Sequence, residues 1–228
     1  MVDMNGKSRT ARISLALAVL IPLGMGGCAS LNSTGQGAAI GGGAGAAVGA
    51  IIGNQTGSTA RGAIIGAVVG GTAGAIIGRR MDQQAAELAA QIPGAEVVRI
   101  GEGIAVIFDS GLLYDFDSDA VRPAARTNLE NLAASLQQYP DSEVLIVGHT
   151  DNVGSASYNQ GLSQRRAEAA ASVLRSEGIA TGRIRTEGRG FSEPVATNET
   201  DEGRAENRRV EVAIFASEEY RRSLGVGQ

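Results

Sequence analysis

Asp151, Asn159 and Arg166 are the residues whose types and spacing point to chemistry. Asp151 follows an apolar run, Val144 to Val147, bounded by turn residues, which reads as a strand buried on both faces, as in a parallel pair. It lies in the loop leading into a helix predicted from about Ser157 to Glu177 and stopped at Gly178. On that helix Asn159, Leu162, Arg166, Ala170 and Val173 share one face at three- and four-residue spacing. Most of this face should point inward, where an unpaired guanidinium is costly. Arg165 points about 100° away and is free to be solvated. Asp151 is the natural carboxylate for Arg166. Two outcomes stay open. The pair closes as a structural salt bridge, or the two groups stay apart and hold a zwitterion, Asp151 taking an ammonium and Arg166 forking onto a carboxylate.

Catalysis has little support. His149 is the single histidine and lies two residues from Asp151. A Ser–His–Asp arrangement needs three groups converging in space. Ser155 and Ser163 are present, but no nucleophile-elbow motif is, and no spacing singles out a carboxylate pair for glycoside cleavage. The chain is therefore read as a non-enzyme that needs no cofactor. Cys28 is the one cysteine, which rules out an intrachain disulfide and a zinc site built on several thiolates, so no metal is expected. The net charge of -4 argues against nucleic acid as a partner, because that role needs a basic stripe.

The elements around these residues are legible from their patterns. Val97 to Ile100 and Ile104 to Phe108 read as strands, and Leu112 to Phe116 as a third short one. Asp117-Ser118-Asp119 offer N-caps for a helix with Pro123 near its start and Leu129, Leu132 and Leu136 at helical spacing. Ile184 to Glu187 is another strand, Glu202 to Asn207 a short helical turn, and Arg209 to Phe215 a closing strand. Strands alternating with helices predict an α/β or α+β domain with one sheet over residues 96–217, followed by a tail at 218–228.

The 33 glycines are concentrated ahead of this domain. Gly41, Gly45, Gly49 and Gly53 recur every fourth residue, and a second ladder runs through Gly62, Gly66, Gly70, Gly74 and Gly78. In water glycine weakens a helix by about 1 kcal/mol against alanine. In lipid the helix is forced, and a glycine stripe lets two backbones approach closely. Residues 38–80 are therefore predicted to form a helical hairpin in the bilayer, with Arg79 and Arg80 at the headgroups. Each ladder spans roughly 24 Å as a helix, short of the roughly 30 Å hydrocarbon core. A soluble or surface-lying oligomerisation segment is the alternative. Residues 81–95 hold a spacer helix, Met81 to Ile92, stopped by Pro93-Gly94.

The first residues carry Lys7, Arg9 and Arg12, then an apolar run from Ile13 to Leu23, then Gly24, Gly26 and Gly27 ahead of Cys28. This is the layout of a secretory signal over residues 1–27. With the cysteine in that place it resembles a bacterial lipoprotein signal, which implies lipidation of Cys28 and a linker at 28–37. Ala29-Ser30 after the cysteine favours, by the same resemblance, the outer membrane.

The run Gly148-His149-Thr150-Asp151-Asn152-Val153-Gly154 with Tyr158-Asn159-Gln160-Gly161-Leu162-Ser163-Gln164-Arg165-Arg166-Ala167 resembles the signature of OmpA-like C-terminal domains. Phe116-Asp117-Ser118-Asp119, Gly188-Arg189-Gly190 and the stretch from Glu202 to Glu211 add to it. The resemblance runs from roughly residue 100 to 216, and with the lipid signal and zipper the chain is similar to the YiaD-type branch of outer-membrane lipoproteins. It implies a βαβαβ mixed sheet with helices on one face, and non-covalent binding of peptidoglycan through the diaminopimelate of the stem peptide. Asp151 would meet the ammonium and Arg166 the carboxylate, with contacts from Asn159, Arg208 and Asp117. Expected partners are peptidoglycan and outer-membrane lipid, reached from the periplasmic face. A zipper-driven homo-oligomer with secondary wall binding is the alternative.

Overall fold

The closing strand sits in the middle of the sheet, and its sequence suits that place. A computed structural model of the chain describes residues 57–115 and 117–226. The leader, Cys28, the first glycine ladder and Phe116 lie outside the described residues. Five strands form one mixed sheet in the order β1-β2-β5-β3-β4. They are β1 (Ala95–Ile100), β2 (Gly103–Asp109), β3 (Ser142–Gly148), β4 (Ile184–Gly188) and β5 (Arg209–Ala216). β5 runs antiparallel to both β2 and β3, while β3 and β4 are parallel. All eight residues of β5 are buried, so both faces of the sheet must be covered.

One face carries Ile104, Val106, Phe108, Val144, Ile146, Val210, Val212 and Ile214. Three long helices cover it: α2 (Gly71–Gln91), α4 (Pro123–Gln138) and α5 (Ala156–Ser176). Pro123 opens α4 where its missing N–H costs nothing, behind Arg122, which makes no side-chain cap. The capping expected from residues 117–119 is therefore not used. Ser155 accepts the Tyr158 N–H at the start of α5, and Gly178, at φ +88, turns the chain out of it. The expected strand at 112–116 is instead a short helix, α3 (Ser110–Leu113), followed by a single bridge between Tyr114 and Val121. The Asp109 carboxylate accepts the Gly111 N–H, which turns the chain into a helical step as β2 ends.

The second glycine ladder differs most from its expectation. It forms two helices, α1 (Thr59–Gly66) and the start of α2, broken where Gly70 and Gly71 adopt φ +68 and +63. The Glu102 carboxylate, in the β1–β2 turn, accepts the Val69 and Gly70 N–H groups at 2.8 Å each and fixes the break. α1 lies on the opposite face of the sheet, where Ala60, Ala63, Ile64 and Ala67 pack on Ala105, Leu145, Val147, Ala213 and Phe215. Gly103 makes room for this, since a Cβ there would stand 2.6 Å from Ile64 Cγ2. Helices thus cover both faces, three on one and α1 on the other. Among the described residues no helix is long and apolar enough to cross a membrane.

The expected spacer is also part of the core. Ile77, Met81, Ala85 and Leu88 recur along α2, Ile92 caps it, and all five are buried with the sheet and α4. Gln84 Nε2 donates to Ser135 Oγ at 3.1 Å, and Asn128 and Asn131 donate to the carbonyls of Pro93 and Gln91. The folded unit therefore begins well before residue 96. It ends with α6 (Asp201–Asn207), β5 and a short α7 (Glu218–Ser223).

Candidate ligand-binding site

Close contact between β3, β4 and α5 sets the geometry of the site. A Cβ at Gly148 would run into the Ser163 carbonyl, and one at Gly188 would meet the Gln164 backbone at 2.5 Å. Glycine at both positions lets the first half of α5 press onto the strand ends. Ser163 Oγ accepts the Gly190 N–H at 2.9 Å, which ties the loop after β4 to the same helix. Asp151 follows β3 on a stretch pinned by His149 N–H to the Arg209 carbonyl (2.9 Å) and Thr150 N–H to the Gly190 carbonyl (2.8 Å).

Asp151 is 9 % exposed. Its Oδ1 accepts the Val153 N–H at 3.0 Å, closing a local turn. Its Oδ2 accepts from Arg208 Nη1 at 2.6 Å. The ion-pair partner of Asp151 is therefore Arg208 and not Arg166. The two residues are 57 apart in the chain, so no local spacing could have paired them. Arg208, to which the resemblance gave a ligand contact, is thus the ion-pair partner of Asp151, with its side chain 38 % exposed.

Arg166 is 5 % exposed. Its Nε donates to the Ser118 carbonyl at 2.9 Å, Nη1 approaches Ser110 Oγ at 3.4 Å, and the guanidinium lies 5.3 Å from the Tyr114 ring centre. Tyr114 Oη in turn donates to the Arg166 carbonyl at 2.6 Å. Among the described residues no carboxylate comes within ion-pair distance of Arg166. Its neighbours are neutral acceptors and an aromatic face, with the negative charges of Asp117 and Asp119 farther off. Burial pulls the guanidinium below the ordinary arginine value, against the pull of Tyr114 and Asp117. An arginine starts so far above neutrality that it stays charged. Of the two outcomes left open by the sequence, the closed Asp151–Arg166 salt bridge is absent.

The remaining expected residues, Asn159 and Asp117, make contacts within the fold. Asn159, 3 % exposed, donates from Nδ2 to the Val153 carbonyl at 2.8 Å and so holds the 151–153 turn against α5. Asp117 adopts φ +57, unusual for a residue with a side chain, and its carboxylate accepts the Tyr158 hydroxyl. That bond raises the Tyr158 hydroxyl above the usual tyrosine value. Arg165, expected to be solvated, is exposed and pairs with Asp119 at 2.7 Å.

Sequence reasoning passed over Ser110, Tyr114 and Ser118 as the seat of Arg166, and Tyr158 as the partner of Asp117. Asn207 was missed too. Its Oδ1 accepts the N–H groups of Val195 and Ala196, and its Nδ2 donates to the Ala196 carbonyl and to Asn198 Oδ1. Asn198 reaches Asn152 N–H at 3.3 Å, so this loop walls the site. A short helix ending in Asn followed by two arginines was the available signal.

His149 does not face this surface. It is 1 % exposed, and its nitrogens lie 4.0 Å from Glu193 Oε2 and 3.8 Å from Glu211 Oε1. Burial holds the imidazole well below its usual value, helped by the charges of Arg209 and Arg189, so the ring is neutral at physiological pH. A cavity of about 340 Å³ exists on the α1 face of the sheet, lined by Arg61, Ile107, Asp109, Val195 and Glu206 among others, and Asp151 and Arg166 are not part of it.

Comparison with known proteins matches two parts of the chain. The OmpA family accounts for residues 113–208, and the YMGG-like Gly-zipper family for residues 7–82. The chain is 38 % identical over 136 residues to the probable lipoprotein YiaD of Escherichia coli (strain K12), covering 59 % of this chain and 62 % of that protein. The match thus spans about three fifths of that relative's length. It is 37 % identical over 138 residues to outer membrane protein A of Bordetella avium, covering 57 % of this chain and 71 % of that one. Among solved structures, the cell wall anchor of the T6SS from Pseudomonas aeruginosa superposes with a TM-score of 0.53 at 35 % identity, over 60 % of this chain and 98 % of that one.

Proposed function

Because this chain belongs to the OmpA family and carries a YMGG-like glycine zipper ahead of the family's domain, we propose that it is a non-catalytic envelope lipoprotein. It ties the outer membrane to peptidoglycan by holding the diaminopimelate of a stem peptide between Asp151 and Arg166. The observation that carries this reading is the setting of Arg166. The near contacts of this buried guanidinium are a carbonyl, a hydroxyl and a ring, and among the described residues no carboxylate stands within ion-pair distance to balance its charge.

The free end of diaminopimelate bears an ammonium and a carboxylate on one carbon. Its carboxylate takes the anion's place at Arg166, and its ammonium meets the Asp151 carboxylate. Arg208 opens partly toward the ligand while keeping Asp151 oriented. Asn159 acts by fixing the Asp151 turn, and Asp117 with Tyr158 forms the rim beside Arg166. The wall anchor from Pseudomonas aeruginosa supports the wall as the partner, the Escherichia coli relative, a probable lipoprotein, supports a lipid anchor, and outer membrane protein A of Bordetella avium supports the outer membrane.

At the other end, Cys28 is the lipid attachment point and the domain hangs on the periplasmic face. Each buried methylene contributes about 0.8 kcal/mol, so several acyl chains on one cysteine give lasting attachment. Zipper-driven oligomerisation, the rival reading, has Gly41 to Gly53 left for it, since α1 and α2 use the second ladder for internal packing.

Two measurements, one on the wild type and one on a Cys28→Ala variant, test the proposal. The full chain in detergent should sediment with purified sacculi and release no soluble fragments from them. Cys28→Ala should move the protein from the membrane fraction to the soluble fraction without changing sedimentation with sacculi. A chain that ignores sacculi, or a Cys28→Ala variant that stays with membranes, would contradict the corresponding end of the tether.

A further inference from the structure

We infer that α1 braces the ligand site, so that docking of the second zipper repeat on the sheet and binding of the wall peptide strengthen each other. The inference rests on the ligand reading above and extends it to Ser58, Thr59, Glu193 and Glu211, residues to which nothing so far assigns a part in binding.

The motif Gly-Ala-Ile-Ile-Gly occurs three times, at residues 49–53, 62–66 and 74–78. Of the two described copies, the second in the chain is laid over the outer face of the sheet, in α1. Apolar fit alone does not choose among identical motifs. The choice is made by hydroxyls four and three residues ahead of the motif. Ser58 Oγ donates to Glu211 Oε2 at 2.6 Å, and Thr59 Oγ1 donates to Glu193 Oε1 at 2.5 Å. The Thr59 N–H adds a bond to Glu193 Oε2 at 3.0 Å, and Ser58 also accepts the Arg61 N–H as the helix cap. The matching positions of the other copies are Gly45 and Ala46, and Gly70 and Gly71, none of which carries a hydroxyl.

Glu193 and Glu211 are themselves 3 % and 2 % exposed. Buried carboxylates need their donors, because water does not reach them to substitute. The same two groups hold the underside of the ligand site. Glu211 Oε1 accepts Arg209 Nε at 2.7 Å, and the Glu193 carbonyl accepts Arg209 Nη2 at 3.2 Å. The Arg209 carbonyl accepts the His149 N–H, two residues before Asp151, while Arg208, one residue earlier in the chain, grips Asp151 itself. Glu193 closes the loop that starts at Gly190, whose carbonyl accepts the Thr150 N–H. Both chain segments that place Asp151 are therefore fastened to the two residues that seat α1, Glu211 through its carboxylate and Glu193 through its main chain.

Undocking α1 takes the Thr59 donors from Glu193 and the Ser58 donor from Glu211, leaving them Arg189 at 3.5 Å and Arg209 at 2.7 Å, and lets Arg209 and the two segments relax. A ligand that fixes Asp151 and Arg208 acts in the opposite sense and favours the docked α1. Such coupling is reciprocal: each event changes the other's equilibrium by the same factor. The consequence is that wall engagement is felt at the N-terminal helix of the domain. If α1 only covers an apolar face, loosening it costs stability and leaves affinity alone.

The test uses the full chain in detergent and a diaminopimelate-containing stem tripeptide. Affinity is measured for the wild type, Thr59→Val, Thr59→Ser and Ser58→Ala/Thr59→Val, and amide exchange over residues 59–66 with and without saturating peptide. The double variant should bind at least about fivefold more weakly, with Thr59→Val intermediate and Thr59→Ser near wild type. In the wild type, peptide should slow exchange across α1 by a factor matching the affinity lost on full undocking. Unchanged affinity in variants whose α1 exchanges faster would overturn the coupling, as would wild-type α1 exchange indifferent to peptide. The wild-type measurement needs no variant to fold. A wild type that does not bind the tripeptide would instead overturn the ligand reading, and the coupling with it, before any variant is compared.

Discussion

Replacing Arg166 with alanine is expected to weaken binding of a diaminopimelate stem peptide by about 2–5 kcal/mol, and Asp151→Ala to do the same. The size follows from what each truncation leaves behind. Without Arg166 the ligand carboxylate enters a buried place whose remaining groups are the Ser118 carbonyl, the Ser110 hydroxyl and the Tyr114 ring. The carbonyl repels an anion and the hydroxyl is a weak substitute. Without Asp151 the ligand ammonium faces Arg208, a like charge now released from its pair. Arg165→Ala is the control. Arg165 is exposed and paired with Asp119 at the surface, so its loss should change affinity less than twofold. Equal losses for Arg165→Ala and Arg166→Ala would mean that the general positive charge of α5, and not a seat for one carboxylate, drives binding.

Leu88→Ala should lower the free energy of unfolding by about 2–5 kcal/mol, read from the urea midpoint at unchanged slope. Leu88 is fully buried, in one cluster with Leu129, Leu132, Leu136, Phe108 and Val210. A helix that merely spaced the zipper from the domain would lose within about 0.5 kcal/mol on the same change. The outcome decides where the domain begins. It also bears on any truncated form: a chain started near residue 95 discards Ile77, Met81, Leu88 and Ile92, and exposes the side chains of the sheet and α4 that they cover.

The sheet was legible in the sequence because its strands obey simple patterns. Val144 to Val147 is uniformly apolar because β3 is paired on both edges and covered on both faces. The alternation of Val210, Val212 and Ile214 with Glu211 and Ala213 marked the two faces of β5 correctly, although it gave no sign that Glu211 is buried with Arg209. α5 and its inward face were legible for the same reason, down to the burial of Asn159 and Arg166.

What the sequence hid was contact at long range. The partner of Asp151, Arg208, stands just ahead of β5, a strand that meets β3 only in three dimensions. Asn159 also holds the Val153 carbonyl, a bond that its spacing on the helix face did not announce, because a side chain at the start of a helix meets its own entering loop first. The second glycine ladder reads equally well against lipid or against a sheet made narrow by Ala105, Ala213 and Gly103. The local signal that separates these cases is Ser58-Thr59, a helix cap whose hydroxyls would have no use in hydrocarbon.

Calorimetric titration of the full chain with two stem tripeptides, identical except for diaminopimelate or lysine at the third position, tests the central claim most directly. Lysine keeps the ammonium for Asp151 and lacks the carboxylate for Arg166. The diaminopimelate peptide should bind about 10- to 100-fold more tightly, the worth of one buried charge-assisted contact, and Arg166→Ala should erase the difference. Equal affinities for the two peptides in the wild type would contradict the account.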